Sequence, residues 1–387
     1  MDVLSEVRAL ADHMTALRRT IHQNPELGWQ EHDTQALILR ELGELGIPCE
    51  TVCGTGVIAT LQGAAPGPVV GLRADMDALP IQEKPDIPYR SRRDGVMHAC
   101  GHDCHVAILL TVARVLKGHL DELRGTVKLI FQPAEEIIEG ARQLSALPQL
   151  ADLNRIAAVH VWSDLPVGSL SAEPGPRMAC ADNIYLTIHG KSAHGAQPHQ
   201  SVDAIVAACA VVEQLQLIAS RKVNPLEPVV VTIGTIRGGT QSNIIANEVE
   251  LSGTVRCFDP QLRAALPGLL EGIASATAQA HGATCSFEYR PCTPPTINEP
   301  ESTDIARRAA AKLFGETALV HLERTMGGED FAWYLDRVPG CMVFVGARNE
   351  AAGKCYPHHH ECFDVDENAL VQGAALLAQF ALDAGQT

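Results

Sequence analysis

The order of apolar patterns between residues 182 and 294 constrains the fold of this 387-residue chain more than any other feature. It reads strand (183–189), helix (202–218), strand (229–236), strand (248–257), helix (261–280), strand (284–289). A βαββαβ succession predicts a ferredoxin-like α+β module. The sequence before it behaves differently. An amphipathic opening over 3–22, a helix at 34–45, strands at 56–61 and 69–73 and a helix after Asp103 alternate as they do in an α/β sheet with covering helices. Pro291, Pro294 and Pro295 then mark a return to the first pattern. The prediction is an α/β domain built from residues 1–181 and 295–387, with the module of residues 182–294 inserted in it.

Chemistry concentrates in Met97-His98-Ala99-Cys100-Gly101-His102-Asp103-Cys104-His105, where thiol, imidazole and carboxylate groups share one short segment. Soft and borderline metals take such ligands. Alone, the segment is equally well explained as a buried thiol beside a solvated histidine. Downstream, the apolar run 126–131 must end by Pro133, which has no N–H for a ladder, and Glu135 and Glu136 follow. Neighbouring side chains at a strand's end point in different directions, so one carboxylate can bind a metal while the other moves protons. A random Glu-Glu pair is more often a solvated acidic turn.

His160 lies near the carboxyl end of the apolar strand 156–162, a place where a lone histidine is usually a core residue. Tyr356-Pro357-His358-His359-His360-Glu361 is a proline-bounded run of imidazoles, either a metal loop or a solvated tract. Taken together the segments say more than each does alone. Cys100, His102, Glu136, His160 and one histidine of 358–360 supply the mixture a hydrolytic metal centre needs, all next to predicted strand ends, where open α/β sheets place their sites.

The 46 acidic residues exceed the 30 basic ones, for a formal net charge of −16. That balance argues against nucleic-acid or anionic-membrane partners, whose phosphates it repels. Twelve cysteines without a repeating spacing, and no basic-then-apolar opening, point to a reducing cytoplasm. No apolar stretch is expected to approach the ~20 residues of a membrane span.

Five segments come in the order seen in the M20 metallopeptidases: Arg73-Ala74-Asp75-Met76-Asp77-Ala78-Leu79-Pro80, residues 97–105, residues 132–136, Lys191-Ser192-Ala193-His194-Gly195 and Gly327-Gly328-Glu329-Asp330-Phe331-Ala332. Over essentially its whole length the chain resembles their amidohydrolase branch, which includes hippurate hydrolases, bacterial aminoacylases, N-acetyl-diaminopimelate deacetylases and auxin-conjugate hydrolases. The resemblance implies a zinc-peptidase-like catalytic domain with an inserted lid that often makes a homodimer. It implies two divalent ions per subunit, zinc or manganese, with nickel or cobalt as further candidates.

By matching motifs, the resemblance assigns Cys100, His102, Glu136, His160 and His359 as ligands and Glu135 as the general base. His359 is chosen because the family's ligand lies four residues before the Phe of a Phe-Asp-Val-Asp-Glu segment, here 363–367; His358 and His360 are the fallbacks. Asp75 stands where the wider family has a ligating histidine and reads as a supporting group. Asp77 reads as a carboxylate that orients a ligating imidazole, His102. His194 resembles the lid histidine that reaches a neighbouring subunit's site and donates to the oxyanion. Asn243 and Arg256 are candidates for holding the substrate's carboxylate, although Arg256 reads equally as a surface strand residue. Asp330 is expected to cap the helix that follows it. Where many members carry glycines, Ile137-Ile138 stiffens the loop beside the metals.

The function expected from these readings is metal-dependent hydrolysis of N-acyl amino acids. An exopeptidase or dipeptidase on the same scaffold is the alternative. A metal- or ligand-binding protein without turnover is a weaker one, since it has no need of Glu135.

Overall fold

The computed structural model describes residues 2–386. They form two compact units, one of residues up to 175, 297–323 and from 330 onward, the other of residues 176–296 and 324–329. The chain opens with α1 (Val3–Ala9), α2 (Ala11–Gln23), α3 (His32–Glu44), β1 (Cys49–Val52), β2 (Gly56–Gln62) and β3 (Ala65–Asp75). Then come α4 (His102–Gly118), β4 (Arg124–Gln132), α5 (Gly140–Leu144), β5 (Arg155–Pro166) and β6 (Leu170–Ser171). The middle of the chain supplies β7 (Gly175–Met178), β8 (Ala181–His189), α6 (Ala204–Leu215), β9 (Val229–Gly238), β10 (Glu248–Cys257), α7 (Pro260–Ala280) and β11 (Thr284–Thr293). The last part adds β12 (Thr296–Asn298), α8 (Pro300–Phe314), α9 (Ala332–Leu335), β13 (Gly340–Arg348) and α10 (Asn368–Ala384).

In the first unit a seven-stranded mixed sheet runs in the order β1-β2-β4-β3-β5-β13-β6. Its centre, β4-β3-β5-β13, is parallel, and the flanking pairs are antiparallel. Strands covered on both faces need near-continuous apolar sequence, and β13 is buried from Gly340 to Ala347. Helix α4 is buried along nearly all its length and packs against α2 and α10. An apolar helix of that kind needs cover on every side. The amphipathic opening is split at Leu10, where φ −99° and ψ 2° separate α1 from α2. The parallel centre has one consequence for function. The carboxyl ends of β3, β4 and β13 lead into the segments that carry the other candidate ligands, and His160 lies within β5.

The second unit holds a four-stranded antiparallel sheet, ordered β11-β8-β10-β9. Helices α6 and α7 lie against it, with Ala207, Val211, Leu266 and Leu270 packed on Ile184, Leu186 and Leu251. Burial alternates along β8, as expected of a sheet with one covered face. A π-turn at Ile218–Lys222 extends α6 into a helical run, Ala204–Lys222. With 19 residues and mean hydropathy 1.4, that run has the length and composition of a membrane span, which corrects the expectation that no apolar stretch comes close. Its buried residues, Ala204, Ala207, Ala208, Val211 and Leu215, face the sheet and α7.

Candidate metal centre

Helix α4 begins at His102, and the residue before it, Gly101, has φ +90°. A Cβ there would lie 2.3 Å from Val161 Cγ2. Only glycine takes this left-handed geometry so close to β5 without strain. The turn places Cys100 Sγ 3.7 Å from His160 Nε2, while His102 enters from the helix. Gly101→Ala is therefore expected to destabilise the protein by ~1–3 kcal/mol and to weaken metal binding with it. Urea unfolding and a metal titration of the variant check this, and an unchanged midpoint would contradict it.

His102 Nδ1 lies 3.0 Å from the Asp77 carbonyl and 3.2 Å from its Oδ1. Both are acceptors, so Nδ1 carries a proton and Nε2 faces the site. Asp77 Oδ2 also accepts from the Glu136 N–H at 3.0 Å, so one carboxylate positions two candidate ligands. His102 Nε2 is 3.8 Å from Glu136 Oε1 and 4.0 Å from Glu135 Oε2. His160 donates Nδ1–H to the Val161 carbonyl at 2.7 Å, which leaves its Nε2 lone pair toward Cys100.

Of the three consecutive histidines, one brings a ring nitrogen toward Glu136. His359, in left-handed geometry (φ +63°), is tied to the Ala99 carbonyl through its N–H at 2.8 Å, and its Nε2 is 3.5 Å from Glu136 Oε2. His358 engages both nitrogens, with Ser163 Oγ at 2.9 Å and the Val161 carbonyl at 3.0 Å. His360 accepts from the Cys362 N–H and stacks on Tyr356.

The two adjacent carboxylates have different surroundings. Glu135 Oε1 accepts from the Asp330 N–H at 3.3 Å. Their loop turns sharply, with Ala134 and Ile138 at φ +58° and +60°. It is pinned by Ala134 N–H to Glu31 and Ala141 N–H to Asp330. Left-handed geometry at non-glycine residues persists only where the surroundings impose it. The Asp330 carboxylate, expected to cap the helix that follows, accepts from Arg73, Gln132 and the Ala141 N–H. A buried arginine requires a carboxylate.

Sequence reasoning named Asp75 as a supporting group but missed the partners beneath the site that hold it. Arg73 Nη1 holds Asp75 at 2.5 Å, Asp75 holds His105 Nδ1 at 2.5 Å, and His105 Nε2 accepts the Val161 N–H at 2.9 Å. The available signal was Arg73 and Gln132 within otherwise apolar strands, since polar residues there must find buried partners.

Several buried groups suit a cation. His102 Nε2 and Glu136 Oε1 have no hydrogen-bond partner among the described residues. Such orphaned atoms are costly unless something binds them. Burial, reinforced by Asp77 and Asp75 and opposed by His102, pushes the Glu136 carboxyl up to about 7. Burial lowers the His102 imidazole, but Asp75, Asp77 and Glu136 outweigh it and hold the group up to about 10. The potential that retains that proton also attracts a metal ion. Burial, with His105 and His358 nearby, keeps His160 neutral, the state of a ligand. Two sets of donor atoms, Cys100/His102/His160 and Cys100/Glu136/His359, each gather within 4.8 Å and share the thiol. The donor set fits divalent metals.

The match to Peptidase family M20/M25/M40 spans residues 71–383. The chain belongs to the M20 family. An N-acetylcysteine deacetylase of Bacillus subtilis is 39% identical over 377 residues, covering 97% of both chains. Thermostable carboxypeptidase 2 of Saccharolobus solfataricus is 37% identical over 383 residues, 98% of this chain and 97% of that one. The crystal structure of the Bacillus subtilis YXEP protein, described as a dinuclear metal binding peptidase from the M20 family, superposes with a TM-score of 0.88 at 37% identity, covering 98% of this chain and 99% of that one. The M20 resemblance read from the motifs, and the α/β fold expected with it, are borne out.

Of the other predicted residues, His194, Asn243 and Arg256 lie in the second unit. His194 bridges to Ile244, and the Gly195 N–H donates to the Asn243 carbonyl at 2.8 Å, so His194 and Asn243 are neighbours on one exposed surface. Arg256 Nη1 is bound to the Met326 carbonyl at 2.9 Å.

Proposed function

We propose that this M20 enzyme is a metal-dependent amidohydrolase that splits N-acyl amino acids into a carboxylate and a free amino acid. The observation that carries the reading is the different setting of the two adjacent carboxylates. Glu136 faces Cys100 and His359, while Glu135 is held by the Asp330 N–H beside that group. A site that only stored a metal would not need the second carboxylate. Divalent ions bound there would polarise an amide carbonyl and lower the pKa of water. Glu135 takes the proton from the attacking water and delivers it to the leaving amine. Cys100, His102, Glu136, His160 and His359 would hold two divalent ions, and the thiolate favours zinc, with manganese next.

Residues 182–294 are read as a lid that also makes a homodimer. Ile205, Val206, Ile236 and Ile244, between 41% and 54% exposed, support this by giving that module an uncovered apolar surface. His194 then serves the partner's site, and Asn243 and Arg256 hold the substrate's carboxylate. Twelve cysteines without a repeating spacing support a cytoplasmic location. A second reading, an exopeptidase, is favoured by the carboxypeptidase relative.

The test is a panel of acetyl, benzoyl and long-chain acyl amino acids beside dipeptides, assayed for released amine after chelation and after each metal is restored. Chelation should abolish activity, metal should restore it, and affinity for metal should fall as pH drops and the ligands protonate. Turnover of dipeptides alone would replace the proposal with the second reading. Fewer than one ion per subunit in fully active enzyme would overturn both.

A further inference from the structure

Arg18 lies on α2, far in sequence from every candidate ligand, yet it is fully buried and holds three carboxylates. Its Nε donates to Asp103 Oδ2 at 2.7 Å, Nη2 to Asp364 Oδ1 at 3.0 Å and Nη1 to Glu367 Oε1 at 3.2 Å. Asp103 directly follows His102, and Asp364 and Glu367 follow His359 in the next stretch of chain. The surroundings brace the same groups. His22, one turn along α2, stands 2.8 Å from Asp103 Oδ2 and 3.2 Å from the buried Glu83. Tyr89 donates its hydroxyl to Asp364 Oδ2 at 2.7 Å and presents its ring 4.8 Å from the Arg18 guanidinium.

Buried ion clusters are a weak source of stability, because apolar side chains of similar volume often serve as well. Stability therefore leaves this one unexplained, whereas its two attachments give it a specific task. We propose that Arg18 is a positioning residue for the metal centre: one rigid fork fixes the spacing between the segment carrying Cys100 and His102 and the loop carrying His359. This rests on the reading of those residues as ligands. The planar guanidinium is essential to the task, since its donors point in fixed directions while a lysine supplies charge without the fork. Cys100 and His359 belong to the same donor set with Glu136, so their separation decides whether that set closes on an ion.

The test is calorimetric titration of Mn²⁺, and separately of Zn²⁺, into metal-free wild type, Arg18→Lys, Asp364→Ala and Val7→Ala, with urea unfolding of each. Val7 is a buried α1 residue outside the cluster and controls for lost stability. Arg18→Lys and Asp364→Ala should weaken metal binding by about 10- to 100-fold, the span for groups that orient ligands. Val7→Ala should bind as wild type does. Should Arg18→Lys not fold, Asp364→Ala carries the comparison. Wild-type affinity in the cluster variants, or a loss in Val7→Ala matching theirs at equal loss of stability, would overturn the proposal. Absence of binding of both Mn²⁺ and Zn²⁺ by the wild type would instead overturn the metal-centre reading, so the two failures are distinct.

Discussion

Glu135→Gln lowers kcat by about 10²- to 10⁴-fold, the usual contribution of a general acid–base group, while ion content and substrate affinity stay at wild-type values. The amide is nearly isosteric, and its carbonyl still accepts the Asp330 N–H that Glu135 Oε1 accepts at 3.3 Å, so the side chain keeps its position and loses only its proton chemistry. Metal analysis and substrate-binding calorimetry of the purified variant check both halves of the expectation. Loss of ions from Glu135→Gln, with retention in Glu136→Gln, would reverse the two assignments.

His194→Ala should cut kcat by roughly 10²-fold or more without changing ion content or folding, as loss of an oxyanion donor does. The imidazole is set up for that task. Nδ1 accepts the Ala196 N–H at 3.0 Å, so the neutral ring carries its proton on Nε2, at an exposed position. Mixing His194→Ala subunits with Glu135→Gln subunits tests where the histidine acts. If it serves the partner, a heterodimer has one site with both defects and one with neither, and activity reappears. A mixture that stays inactive after native mass spectrometry has verified subunit exchange would show that His194 works within its own subunit or not at all.

The sequence was most readable where chemistry needs particular atoms in a short span. Cys100, Gly101 and His102 occupy consecutive positions in a left-handed turn that sets the thiol 3.7 Å from His160 Nε2. Residues 182–294 were readable for another reason: a sheet covered on one face leaves alternation in its strands. Strand β13 carried no such signal. Its run of buried residues from Gly340 to Ala347 fits a core strand or a buried helix equally well, and periodicity cannot separate them. Asp330 and Arg18 were opaque for a third reason. Each is explained by partners hundreds of residues away, Arg73 for one and Asp364 for the other, and no local pattern encodes such a pairing.

The parallel pairing of β5 with β13, Ile156 beside Gly340 and His160 beside Phe344, also dictates an order of events during synthesis. Strand β5 leaves the ribosome long before its outer neighbour, and until then an apolar edge with open backbone groups is available to any passing strand. Pairings of such long range form slowly. The nascent chain is therefore most at risk of aggregation after residue 166 has emerged and before residue 348 has, the interval in which a chaperone should be found on it.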